Sequence, residues 1–166
     1  GLQPLRVLPE LMFPVDRPRQ LLRESNRHVV VEAIDGQHIQ IANLDQGRIV
    51  EIPVRKDGSA GTPGTFVQDG RLVGADGLAF DTRGNLYVAV NGQNAIRRIT
   101  PDKDIETLVE NDPDGFDGFD FPADVTFGTS RGEQKSVFIP NLAFSGTPYP
   151  TFMKLDVGVP GLPIHR

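Results

Sequence analysis

Gly74-Ala75-Asp76-Gly77-Leu78-Ala79-Phe80-Asp81, then Thr82-Arg83-Gly84-Asn85, then Leu86-Tyr87-Val88-Ala89-Val90: this stretch decides the fold. Gly77 to Asp81 is an apolar run of strand length, and Thr82 to Asn85 is a cluster of turn formers. Leu86 to Val90 is a second strand, Asn91-Gly92-Gln93-Asn94 a second turn, and Ala95 to Thr100 a third strand. Pro101-Asp102 punctuates, and Ile105 to Glu110 makes a fourth strand. Apolar residues alternate where one face is expected to be wet and run together where both faces are buried. No segment between these strands is long enough for a helix.

The unit repeats. An offset of 47 lays Ile39-Gln40-Ile41-Ala42 under Leu86-Tyr87-Val88-Ala89, and Gly47 to Ile52 under Asn94 to Ile99. The same offset lays Ala123-Asp124-Val125-Thr126-Phe127 over Asp76-Gly77-Leu78-Ala79-Phe80. After a four-residue insertion, Val137-Phe138-Ile139 continues the register of Leu86-Tyr87-Val88. Phe152-Met153-Lys154-Leu155 then matches Ile96-Arg97-Arg98-Ile99. Four short strands in 40–50 residues, repeated, is the pattern of a β-propeller blade. The expected fold class is all-β: about three four-stranded blades, half of a six-bladed ring. The blades are expected over 28–157, at about 28–70, 74–110 and 121–157. Residues 1–27 carry Pro4, Pro9, Pro14 and Pro18 and read as an irregular segment, with Leu5 to Leu8 as one candidate edge strand. Residues 158–166 read as a C-terminal tail.

Composition agrees. The 166 residues fit one domain, and 18 glycines with 14 prolines ask for many tight turns. The balance of 17 basic and 22 acidic side chains gives −5, the wrong sign for a nucleic-acid or anionic-membrane binder. No apolar run approaches 18 residues, so no membrane-spanning helix is expected. With no cysteine there is no disulfide, thiolate zinc site or cysteine nucleophile. The expected location is soluble: cytoplasmic, or exported after removal of a leader. Three blades do not close a ring, because propellers use four to eight. The chain is therefore expected either to pair with itself, two half-propellers forming a C2 dimer, or to lack an upstream half.

Gly74 to Asp81 with Gly84-Asn85-Leu86-Tyr87-Val88-Ala89 resembles the gluconolactonase family, also called the senescence marker protein or regucalcin-like family. Ala42-Asn43, Gly47-Arg48-Ile49 and Asp57 to Gly61 resemble its preceding blade, and Phe121-Pro122 with Val125 to Gly128 the following one. The resemblance spans about residues 26–159 and implies a six-bladed propeller that hydrolyses a sugar lactone or similar small ester. It implies one divalent cation, Ca²⁺, Mg²⁺ or Mn²⁺. Asp76 would be metal ligand and general base, and Asn26 a second ligand. The continuation Arg27-His28-Val29-Val30 departs from the family's Gly-apolar pattern, and the family's first-blade Glu has no counterpart here.

Other patterns in the sequence offer competing readings. Gly128-Thr129-Ser130-Arg131-Gly132 has the spacing of a serine-hydrolase elbow, with Asp156 and His165 downstream in the usual order. That motif needs a strand, a sharp turn and a helix, whereas Val137-Phe138-Ile139 follows as a strand. Asp112 to Asp120 holds four carboxylates in nine residues, but Phe116 and Asp117 occupy positions that an EF-hand gives to Asp and Gly. It reads as a solvated connection. His28, His38 and His165 have no zinc-site spacing. Beside the lactonase stand two alternatives: a non-catalytic propeller piece that binds a partner, and a serine esterase using Ser130.

Overall fold

The computed structural model describes residues 29–34, 38–111, 118–144 and 150–162. Asn26, His28, His165, the N-terminal segment and most of the acidic run (112–117) lie outside these. Eleven strands and no α-helix are present among the described residues. β1 (Val29–Ile34), β2 (His38–Asn43), β3 (Arg48–Pro53) and β4 (Gly64–Gln68) form an antiparallel sheet in chain order. β5 (Ala75–Phe80), β6 (Leu86–Val90), β7 (Ala95–Ile99) and β8 (Ile105–Glu110) form a second. β9 (Thr126–Phe127), β10 (Ser136–Asn141) and β11 (Thr151–Asp156) form a third of three strands. The fold is the all-β, blade-by-blade architecture that the repeat predicts.

The first strands sit side by side, β1 against β5 and β5 against β9, as the inner strands of successive blades do. Two cores lie between the sheets. Leu78, Leu86, Val88 and Ile99 meet Ala42, Ile49 and Leu72 on one side of the middle sheet. Tyr87, Ala89 and Ile96 meet Val125, Val137 and Ile139 on the other. The middle sheet is thus dry on both faces, which is why all five residues of β6 are buried and apolar. Even Arg97 is 3% exposed. Its guanidinium donates to the Arg71 carbonyl at 3.3 Å, Gln93 Oε1 at 3.0 Å and Glu110 Oε2 at 2.8 Å, and also bonds Thr107. Arg98 on the opposite face pairs with Glu106 of β8. At the exit of the first sheet, Asp69 holds Arg71 at 2.9 Å, and Arg71 reaches the Ile105 carbonyl at 3.0 Å.

The segment after β11 does not add a fourth strand to the third sheet. It crosses beneath the second and third sheets. Val157 N donates to the Lys135 carbonyl (2.9 Å), Thr82 N to the Pro160 carbonyl (2.8 Å) and Leu162 N to the Phe80 carbonyl (2.9 Å). Gly161 allows the crossing, because a Cβ there would fall 2.2 Å from Phe127 Cγ.

Candidate functional site

Asp76 stands at the head of β5, inside a bulge. Ala75 pairs with Val90 and Leu78 with Val88, so one residue too many separates these two pairs on β5. Such a bulge frees a side chain from the regular alternation and re-aims it. The next residue is the structural key. A Cβ on Gly77 would lie 2.3 Å from Asp124 Oδ1 and 2.4 Å from Asp124 Cα. Only glycine lets the segment that leads into β9 come this close, and the charge of Asp124 is felt at Asp76.

Asn91 completes the group. It is 5% exposed, and its Nδ2 donates to Asp76 Oδ2 at 3.2 Å. Its own backbone N–H donates to the Gly74 carbonyl at 2.9 Å, which fixes the turn after β6 against the start of β5. Gly74 has φ +88°, and a Cβ there would press on Gly92 N at 2.9 Å. Asp124 Oδ1 accepts from Val125 N at 2.6 Å.

Burial is the main force that pushes the Asp76 carboxyl above the usual carboxylate range. The bond from Asn91 opposes this shift, and the negative charge of Asp124 adds to it. The result is a half-buried carboxylate with raised proton affinity that feels the charge of a second carboxylate. Two things relieve such a pair: a proton, or a hard cation that prefers anionic oxygen ligands. The donor chemistry therefore fits Ca²⁺, Mg²⁺ or Mn²⁺. Among the described residues no group of three or more His, Asp or Glu side chains gathers as a metal site.

The remaining candidates are spread elsewhere. Asn26 and His165 lie outside the described residues. Ser130 is exposed in a bend, its carbonyl accepting from Glu133 N at 3.0 Å, and the turn runs straight into β10 with no helix. Asp156 ends β11 and takes the Gly158 N–H at 3.1 Å. Asp120, at the described end of the acidic run, is 1% exposed, and its backbone N–H donates to Asn141 Oδ1 at 3.3 Å. His38 opens β2. Sequence reasoning missed Asp124 and Asn91. The signal for Asp124 was in the repeat, since the 47-residue offset places it on Gly77, one step past Asp76.

No protein-family model and no curated protein matches the chain. Solved structures do. A luciferin-regenerating enzyme superposes with TM-score 0.58 at 16% identity, over 80% of this chain and 47% of that one. An auxiliary nutrient binding protein from Bacteroides thetaiotaomicron superposes with TM-score 0.54 at 17% identity, over 69% of this chain and 35% of that one. At these identities the likeness establishes the β-propeller fold. The chain spans less than half the length of either structure.

Proposed function

We propose that the chain carries the Asp76 site of a divalent-cation-dependent hydrolase acting on a sugar lactone or similar small ester. The observation that carries this reading is the half-buried Asp76 carboxylate at the head of β5, with the Asn91 amide on it and its proton affinity raised by burial and by the charge of Asp124. In hydrolysis, water adds to the acyl carbon and the acyl–oxygen bond breaks. Asp76 takes the proton of that water and returns a proton to the departing ring oxygen. Burial above all, with the charge of Asp124 added, raises the proton affinity that the task needs, and Asn91 holds one Asp76 oxygen so that the other faces the substrate. A bound cation, held by Asp76 and Asp124 and, on the family resemblance, by Asn26, would polarise the lactone carbonyl as a Lewis acid.

The same fold also serves proteins that only bind, and fold alone does not assign chemistry. The serine-esterase reading is weaker, because Ser130 lacks the strand–elbow–helix context. Turnover of a sugar δ-lactone by the purified chain separates the three. Expected is hydrolysis that chelator abolishes, added Ca²⁺ or Mn²⁺ restores, and Ser130→Ala leaves within about twofold. Activity indifferent to chelator and lost in Ser130→Ala would establish the esterase. Lactone binding without turnover would establish the binding module.

A further inference from the structure

We propose that Phe121, Leu142 and Phe144 form an apolar shelf at the Asp76 end of the sheets, which takes an alkyl or aryl substituent of the substrate. The proposal rests on the hydrolase reading of Asp76 and narrows its substrate to a lactone or ester with an apolar side group. The topology puts these residues at one end. Asp76 heads β5, which pairs with the end of β6, and β6 in turn pairs with the head of β7. Gly77, next to Asp76, meets Asp124, and Phe121 lies three residues before Asp124. The Pro122–Asn141 bridge then ties this segment to the end of β10. Phe121 comes immediately before that bridge, and Leu142 and Phe144 follow it.

One turn joins the shelf to the site. Asn91 Nδ2 holds Asp76 at 3.2 Å, and Asn94 Oδ1 accepts from Phe121 N at 2.8 Å. Asn94 N donates to the Asn91 carbonyl at 3.1 Å, so both side chains hang on the same tight turn. Leu142 N donates to the Phe121 carbonyl at 3.2 Å, and Ala143 N to the Asp120 carbonyl at 3.1 Å. The Phe121 and Phe144 rings meet with centroids 5.0 Å apart and planes tilted by 50°, a wedge rather than a flat stack. The backbone is strained to hold it. Four non-glycine residues take a left-handed φ among the described residues, and three are here: Asn94 (48°), Phe121 (64°) and Ala143 (60°). For a side chain as bulky as Phe121 that conformation is costly, and such strain gathers at ligand sites. Exposure points the same way. Of the four large apolar side chains exposed among the described residues, Val73, Leu142 and Phe144 lie in loops at this end. Phe144, at 69%, is the most exposed of the four. A polyhydroxylated substituent gains nothing from such a surface, whereas an alkyl chain gains about tenfold in affinity for two methylenes buried.

Turnover of δ-valerolactone and δ-decalactone, which share one lactone ring and differ by a pentyl chain, tests this. The expected kcat/KM is about tenfold higher for δ-decalactone, chiefly through a lower KM. Phe144→Ser and Leu142→Ser should each cut that preference about threefold or more. Phe152→Ser, whose ring packs on Phe138 of the third sheet, should keep it. Were one shelf variant to unfold the chain, the other reads the same surface. Calorimetric binding of the two corresponding δ-lactams, which resist hydrolysis, separates the shelf from the chemistry. A pentyl advantage in lactam binding that Phe144→Ser abolishes upholds the shelf. Should neither lactone turn over beside that result, only the hydrolase reading falls. Equal kcat/KM with equal lactam binding overturns the proposal and gives these side chains another occupant, such as a larger partner. So does a pentyl preference that both shelf variants leave intact.

Discussion

Asp76→Asn is expected to lower lactone turnover by about 10³-fold, the usual scale for removing a positioned general base. The substitution keeps the size of the side chain and an oxygen for Asn91, so the bulge and the inner-strand packing should survive. Stability is expected to hold or rise. A carboxyl whose folded pKa is raised favours the folded state most when protonated, and that contribution is lost as pH rises through the raised value. A neutral Asn removes the penalty at neutral pH. An inactive variant that melts no lower than wild type therefore separates loss of chemistry from loss of fold. Asp124→Asn completes the argument. It removes the like charge, so the Asp76 pKa should fall and the acid limb of the pH–rate profile should move to lower pH. An acid limb that stays in place would deny Asp124 its part.

The second large effect is on stability. Asp81 is 0% exposed and accepts four hydrogen bonds. Its Oδ1 takes Arg83 N (2.8 Å) and Asn85 N (2.9 Å), and its Oδ2 takes Asn85 Nδ2 (2.8 Å) and the Tyr87 hydroxyl (3.1 Å). This carboxylate closes the β5–β6 turn and anchors a tyrosine at the centre of the second core. Burial above all pushes the Tyr87 hydroxyl up to about 12, so it stays a donor throughout the physiological range. Asp81→Ala strands that hydroxyl and the turn donors. The expected cost is about 3 kcal/mol, or a fall in Tm of roughly 10 °C for a chain of this size. Asp81→Asn, which keeps an acceptor, should cost about half as much. Thermal melts of the two variants give the comparison.

The blades were legible because both strand and turn signals are local, and the repeat multiplies them. Gly77 to Asp81, Thr82 to Asn85 and Leu86 to Val90 each name their element through residue type. The expectation of one wet face failed where tertiary packing took over: Ile96 and Ile99, three residues apart, alternate onto opposite faces that are both cores, and Arg97 between them is buried by its partners on other elements. Ala123 to Phe127 reads as a full strand, yet only Thr126 and Phe127 pair with β10. Asp124 instead caps Val125 N, and Ala123 N donates to the Pro140 carbonyl. The site was half legible. Asp76 stands out through its motif. Asp124 and Asn91 gain meaning only from the close approach at Gly77 and the turn after β6, which no single segment encodes.

Calorimetric titration of Ca²⁺ into the purified chain tests the central claim, that Asp76 and Asp124 form a cation-holding carboxylate pair. One saturable site is predicted, lost in Asp76→Asn and weakened in Asp124→Asn. No binding, or binding that both substitutions leave unchanged, would contradict it.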